Sequence, residues 1–336
     1  MKVLSVVIPA YNTELYLERC LDSLLYNESV IQYLDIIVVD DGSSDDTSKL
    51  ANRYRKLYPE SISVLEKENG GHGSAVNAGI KVATGKYVRI VDSDDWVDVD
   101  NFEEYVKKLK KEKADIVVTD VRRQQLYDES ELNFRFKEKN DKPIPIGKIE
   151  DKVMEDDFFF EFSMHSMTVK TEKLREVWGS GLLEKTFYVD QQFVAKVFMC
   201  ARTYIEYNFN IYMYFIGRPE QSMGDGFLKH IDDHERVLKW LLKTTRDKNL
   251  PKYYKKIVSR QIVLMLGTHY KAYANQVRLP KNKKKEIKSF DKYLRKNYSN
   301  YYYKSEAPMV FEQIRSVFSN TLLNKLVRYY RGRSEV

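Results

Sequence analysis

The sequence predicts an α/β fold: a mostly parallel sheet with helices on both faces, followed by a helical C-terminal region. Three observations predict it. Short β-branched runs alternate with segments whose apolar residues recur at helical spacing, which is the pattern of βαβ units. Several of the runs end in acid, glycine or an aromatic, the residues a ligand-binding rim needs. The charge then divides: residues 226–336 hold 26 Lys and Arg against 9 Asp and Glu, net +17, whereas residues 1–225 are net −10. We therefore read 1–225 as the binding and catalytic domain and 226–336 as a basic helical region with a different task.

Val3 to Ile8 is a buried strand closed by Pro9-Ala10-Tyr11-Asn12, and Thr13 to Tyr26 follows with Leu17, Cys20, Leu21, Leu24 and Leu25 on one helical face. Leu34 to Val39 is a second strand that runs into Asp40-Asp41-Gly42-Ser43-Ser44. Thr47 to Tyr58 is a helix halted at Pro59, and Ile62 to Leu65 is a third strand. The loop Glu68-Asn69-Gly70-Gly71-His72-Gly73 leads into a short helix, Ser74 to Ala83. The fourth strand, from Tyr87, climbs to Asp92-Ser93-Asp94-Asp95; Asp100 caps a helix to Lys113, and Ile116 to Thr119 is a fifth strand. Gln124 to Glu150 reads as an irregular excursion or a hairpin, Val153 to Phe162 as helix, and Met164 to Val169 as strand. Tyr188-Val189-Asp190 opens a helix, Tyr204 to Phe215 is strand, and the pattern is helical from Phe227 onward.

The chain of 336 residues has apolar and aromatic content enough for a real core, which excludes a disordered chain. Cys20 and Cys200 both lie in helical apolar patterns, which suits buried thiols and a reducing, cytoplasmic compartment. The apolar run Val3 to Ile8 is too short for a signal peptide core, and no stretch reaches membrane-spanning length.

On an extended strand, side chains two apart share a face, so Asp92 and Asp94 are expected to aim at one point and Asp95 away. Two oxygen donors so placed suit Mg²⁺ or Mn²⁺; the same residues also suit a polar turn before a helix.

Ser5 to Asn12, Val39 to Thr47 and Gly85 to Asp95 stand in an order and spacing that resemble a family 2 glycosyltransferase of the GT-A fold, a Rossmann-like architecture, of the kind that builds bacterial polysaccharides. The resemblance covers about the first hundred residues and is nearly silent about which sugar moves. It implies that Pro9, Tyr11 and Asp41 border the base of a nucleotide-sugar, usually UDP, with Asp41 accepting from the uracil N3–H. A turn residue bonding its own backbone is the competing role for Asp41. The resemblance makes Asp94 the direct metal ligand, Asp92 a ligand nearer the ribose, and Asp95 a contact of the donor sugar. Mn²⁺ or Mg²⁺ would neutralise a diphosphate leaving group.

Gly71 and its neighbours permit close backbone approach to a ligand, and His72 is a candidate phosphate or sugar contact. Family members often have Arg where this chain has Val76, which weakens any cationic contact from that helix. Asp190 matches the acidic residue at a late helix start and is the candidate base; a plain N-cap is its competing role. His165 is a candidate on the acceptor side, and Arg218 a candidate clamp on the diphosphate.

The implied activity is inverting transfer of a hexose or N-acetylhexosamine from a UDP-sugar to a glycan or lipid-linked saccharide. The amphipathic basic segment Asn320 to Arg333 makes an anionic membrane surface a natural partner, at the inner face of the cell membrane. Nucleic acid is not expected, because no binding motif accompanies the charge. Two other readings stand: a sugar-1-phosphate nucleotidyltransferase, whose Gly-rich loop after the first strand is missing here, and a non-catalytic module that binds membrane or polyanion.

Overall fold

The seven residues of β1, Leu4–Ala10, are all buried, as a strand central to a covered parallel sheet must be. The computed structural model describes residues 1–125, 132–134, 142–151, 162–216, 227, 229–275 and 280–319. Two compact units result: Met1–Gly224 with Asn249–Ile257, and Asp225–Lys248 with Val258–Val336.

In the first unit β1 pairs in parallel with β2 (Leu34–Asp40) and with β4 (Tyr87–Ile90), and β2 pairs in parallel with β3 (Ile62–Glu66). The helices between them are α1 (Leu17–Leu25), α2 (Glu28–Ile31), α3 (Thr47–Leu57) and α4 (His72–Val82). Next come β5 (Trp96–Val97), α5 (Val99–Lys111) and β6 (Ile116–Gln125), then the short strands β7 (Leu132–Phe134) and β8 (Ile144–Pro145). The unit continues with β9 (Met167–Lys170), α6 (Thr171–Trp178), α7 (Val189–Cys200) and β10 (Thr203–Ile216). The strand order is β3-β2-β1-β4-β9-β6-β10-β5, with β7 on β6 and β8 on β10. Because β1 to β4 run the same way, residues 11, 41, 70–73 and 92–95 follow strand ends on a single rim.

Leu17, Cys20, Leu21 and Leu24 of α1 are fully buried against the sheet with Leu4, Val6 and Ile8. Both cysteines are free and buried, as the apolar pattern predicts. Two local expectations shift. The cap of α5 is Asp98, whose Oδ1 accepts from the Asp100 amide at 3.1 Å, so Asp100 sits in the first turn. The fourth strand ends at Ile90, one residue short of Asp92.

The second unit is helical among its described residues, with α8 (Ile231–Thr244), most of α9 (Lys252–Ala274), α10 (Lys281–Asn297), α11 (Ser299–Lys304) and α12 (Ala307–Ser319). No described helix is long and apolar enough to cross a membrane. Most of the expected helix Val153–Phe162 and the basic segment 320–333 lie outside the described residues.

Candidate active site

The acids after β4 form a tight turn: the Asp95 amide donates to the Asp92 carbonyl at 3.0 Å. Face-sharing between residues two apart holds only on a strand, and here the chain has left it. Among the described residues the ligand atoms that gather within 4.8 Å of one another belong to Asp92, Asp95 and His165. Asp94, expected to share a point with Asp92, is buried in the turn but is not in that group; its carbonyl accepts from Arg19 Nη2 at 2.9 Å. Arg19 also lies over the Trp96 and Phe215 rings, at 3.8 and 4.5 Å from their centroids, so it pins the turn from outside.

Asp92 is held between two imidazoles. His72 Nε2 is 2.8 Å from Oδ1 and His165 Nε2 is 3.2 Å from Oδ2. Burial pushes the Asp92 carboxyl up, but the two histidines outweigh it and hold the group well below the usual range. His72 shows the reciprocal effect: burial lowers it, and the charges of Asp92, Asp190 and Asp94 carry it above its ordinary value.

Asp95, placed by sequence on the sugar side, is 1% exposed and faces inward. It accepts from the Tyr212 hydroxyl and, at 2.7 Å, from the Phe215 amide, both on β10. Burial first, then the charges of Asp94 and Asp92, push its carboxyl well above the usual range. Tyr212 also receives the Asp92 amide at 3.2 Å, so one hydroxyl ties both acids to β10.

His165 precedes β9, which runs antiparallel between β4 and β6. Its ring packs beside Tyr212 and Tyr214, at centroid distances of 4.9 and 5.2 Å. Its carbonyl accepts from Arg89, a fully buried strand residue that also donates to Thr168 Oγ1 at 3.0 Å and Thr119 Oγ1 at 3.2 Å. An arginine inside the apolar run Tyr87-Val88-Arg89-Ile90 was visible in the sequence as a buried charge that needs partners.

Asp41 bonds no amide of its own turn; Asp40 does that, accepting from the Ser43 amide at 3.0 Å. Asp41 instead reaches across the rim and accepts from Lys67 Nζ at 2.6 Å, the Gly70 amide at 3.1 Å and the Gly71 amide at 2.7 Å. Its role in this structure is to fix the glycine loop. Pro9 is buried in β1 opposite Val39, and Tyr11 is 51% exposed just beyond the strand. The close approach that the glycines permit is made by the chain itself. A Cβ on Gly71 would lie 3.3 Å from the Lys185 backbone, and one on Gly73 2.3 Å from the Leu183 carbonyl oxygen. Gly71 has φ +82°, which also favours glycine.

That same segment leads into α7. Tyr188 precedes the helix in a left-handed conformation and makes no side-chain cap. Asp190 lies in the first turn, Oδ2 accepting from Gln191 Nε2 at 2.9 Å, near enough for its charge to act on His72 and Tyr214. Arg218 lies outside the described residues. The geometry thus joins Asp41, Gly71, His72, Asp92, Asp95 and His165 by direct contacts, with Asp190 alongside.

Residues 5–168 match the model of "Glycosyl transferase family 2". That segment, residues 5–168, belongs to glycosyl transferase family 2. Glycosyltransferase GlyA of Streptococcus pneumoniae is 30% identical over 233 residues, which are 65% of this chain and 31% of GlyA. The chain therefore spans less than a third of that relative's length. The fold is similar to that of S. aureus TarS 1–349 in complex with UDP-GlcNAc, with TM-score 0.70 at 18% identity, covering 93% of this chain and 87% of that one. The mannosyltransferase PcManGT from Pyrobaculum calidifontis, in complex with GDP-Man and Mn²⁺, aligns with TM-score 0.52 at 17% identity over 93% of this chain and 86% of that one. The mixed α/β architecture is the GT-A fold of these enzymes.

Proposed function

We propose that this chain is a glycosyltransferase that moves a hexose or N-acetylhexosamine from a UDP-sugar to a glycan or lipid-linked saccharide, with inversion. The observation that carries the reading is the meeting of Asp92, Asp95 and His165 on the strand-end rim, with Asp190 at a helix start alongside. A nucleotide-binding rim with a cation site and a separate carboxylate is what transfer from a diphosphate leaving group requires. The complexes of the fold neighbours with UDP-GlcNAc, and with GDP-Man and Mn²⁺, support the donor class and the cation.

The residues fit a divalent cation. Asp95 is buried beside two other acids that raise its carboxyl, a crowding of like charge that a cation would relieve. Asp92, Asp95 and His165 would hold it, and an imidazole among oxygen donors favours Mn²⁺ over Mg²⁺. A bound cation would neutralise charge that develops on the diphosphate. His72 keeps Asp92 ionised, Tyr212 orients both acids, and Asp41 fixes the loop that carries His72. Asp190 takes the proton from the acceptor hydroxyl as that oxygen bonds to the anomeric carbon and the bond to the diphosphate breaks.

The test is calorimetry with UDP-, GDP- and dTDP-sugars, with and without Mn²⁺. UDP-sugars should bind in a Mn²⁺-dependent way; if no nucleotide-sugar does, the reading fails.

A further inference from the structure

Five lysines of α10, Lys281, Lys285, Lys288, Lys292 and Lys296, follow one another at intervals of three or four residues. That spacing puts them on one helical face. Over fifteen residues at 1.5 Å each, the row is about 22 Å long. The opposite face carries Ile287, Phe290 and Leu294, all buried in the second unit. None of the five lysines has an acidic partner among the described residues, whereas Lys283 of the same helix pairs with Asp232 and Glu286. Like charges at such spacing destabilise a helix.

The row is not a flat surface. Lys288, Lys292 and Lys296 line an open cleft of about 580 Å³ with Arg295, Asp291 and Phe311. Asp291 does not neutralise them, since it accepts from Arg295 Nε at 2.8 Å and from the Tyr302 hydroxyl at 2.6 Å. Glu312 lies 4.0 Å from Arg295. What the cleft offers a ligand is cationic charge in a line, bordered by one aromatic ring.

We infer that this face of α10 is a docking site for a linear polyanion, a chain with regularly repeated phosphate or carboxylate groups. Charge complementarity selects an anion, and the length of the row selects an extended one. A membrane surface is the poorer match, because it is broad and flat, whereas Lys288, Lys292 and Lys296 line a cleft. The inference does not depend on the transfer chemistry of the first unit.

The test uses the full chain, with long-chain polyphosphate and polygalacturonate as probes that separate phosphate from carboxylate. Wild type should bind at least one of them, with affinity that falls steeply with salt. Lys288→Glu with Lys292→Glu should weaken that binding at least about tenfold and flatten the salt dependence. Lys243→Glu with Lys304→Glu changes net charge equally, on exposed lysines of other helices, and should change affinity less than about threefold. Equal losses in both double variants would reduce the effect to bulk charge and overturn the inference. So would the absence of binding to both polymers, or tighter binding to phosphatidylglycerol vesicles or duplex DNA than to either.

Discussion

His72 Nε2 lies 2.8 Å from Asp92 Oδ1, and the two residues come from different strand-end loops. Each sustains the charge of the other: the carboxyl of Asp92 is held low and the imidazole of His72 is held high. If Asp92 contacts the cation, His72 acts on it through Asp92. His72→Ala should then weaken Mn²⁺ affinity about 10- to 100-fold, the usual loss when the support of a ligand is removed. Asp92→Asn should weaken it further, and UDP-sugar affinity should fall with it. Calorimetric Mn²⁺ titration of both variants checks this, and unchanged affinity in Asp92→Asn would remove the site.

Asp190 is the candidate proton acceptor, and its contact to Gln191 leaves Oδ1 uncommitted in the described contacts. Asp190→Asn keeps the shape and removes the basicity. Donor binding should stay within about threefold of wild type, while kcat falls about 10²- to 10⁴-fold. Single-turnover transfer, with donor affinity measured separately, distinguishes this from a donor-binding role. Transfer at the wild-type rate would assign the base to another group.

Much of this site was legible in the sequence because strand ends in a parallel sheet face one way. Once β1, β2, β3 and β4 were recognised as β-branched runs, Tyr11, Asp41, His72 and Asp92 fell on one rim without any structure. What was not legible depends on residues far apart in the chain. Asp95 turns inward because Tyr212 and Phe215 receive it, 117 and 120 residues away. His165 reaches Asp92 because β9 inserts antiparallel between β4 and β6, and no local pattern in Met167–Lys170 encodes that direction. The glycine loop was read as an approach for ligand, whereas residues 182–186 make the approach.

Gly73 tests that last contact. The Leu183 carbonyl would lie 2.3 Å from a Cβ at this position, so backbone must move. Gly73→Ala should destabilise the protein by about 1–3 kcal/mol, the range for overpacking a filled interior. It should also lower kcat, since the displaced segment leads directly to Asp190. Gly147→Ala is the control, because a Cβ there meets nothing within 4 Å. Equal melting temperatures for the two variants would show that the segment yields freely.

The second unit carries its own pH dependence. His234 Nδ1 and His269 Nδ1 are 3.2 Å apart, both rings are buried, and His269 Nε2 has no hydrogen-bond partner. One Nδ1–H donates to the other nitrogen, so the pair is satisfied only while at least one ring is neutral. Burial pulls His234 down to about 3. His269 is held well below its ordinary value by burial, with the charges of His234, Lys239 and Lys283 adding to it. Both folded values lie below the unfolded value near 6.5, so the unfolded chain takes up protons first as pH falls. The stability these groups supply is complete above about pH 6.5 and is lost as pH falls toward about 3. The slope in that window should be about 1.4 kcal/mol per pH unit for each histidine that stays neutral in the fold. His234→Phe with His269→Phe should remove that slope whatever it does to the absolute stability. Denaturant unfolding at pH 7.5, 6, 5 and 4, followed by the signal of the second unit, reads the slope directly, and an unchanged slope in the double variant would assign the acid sensitivity elsewhere.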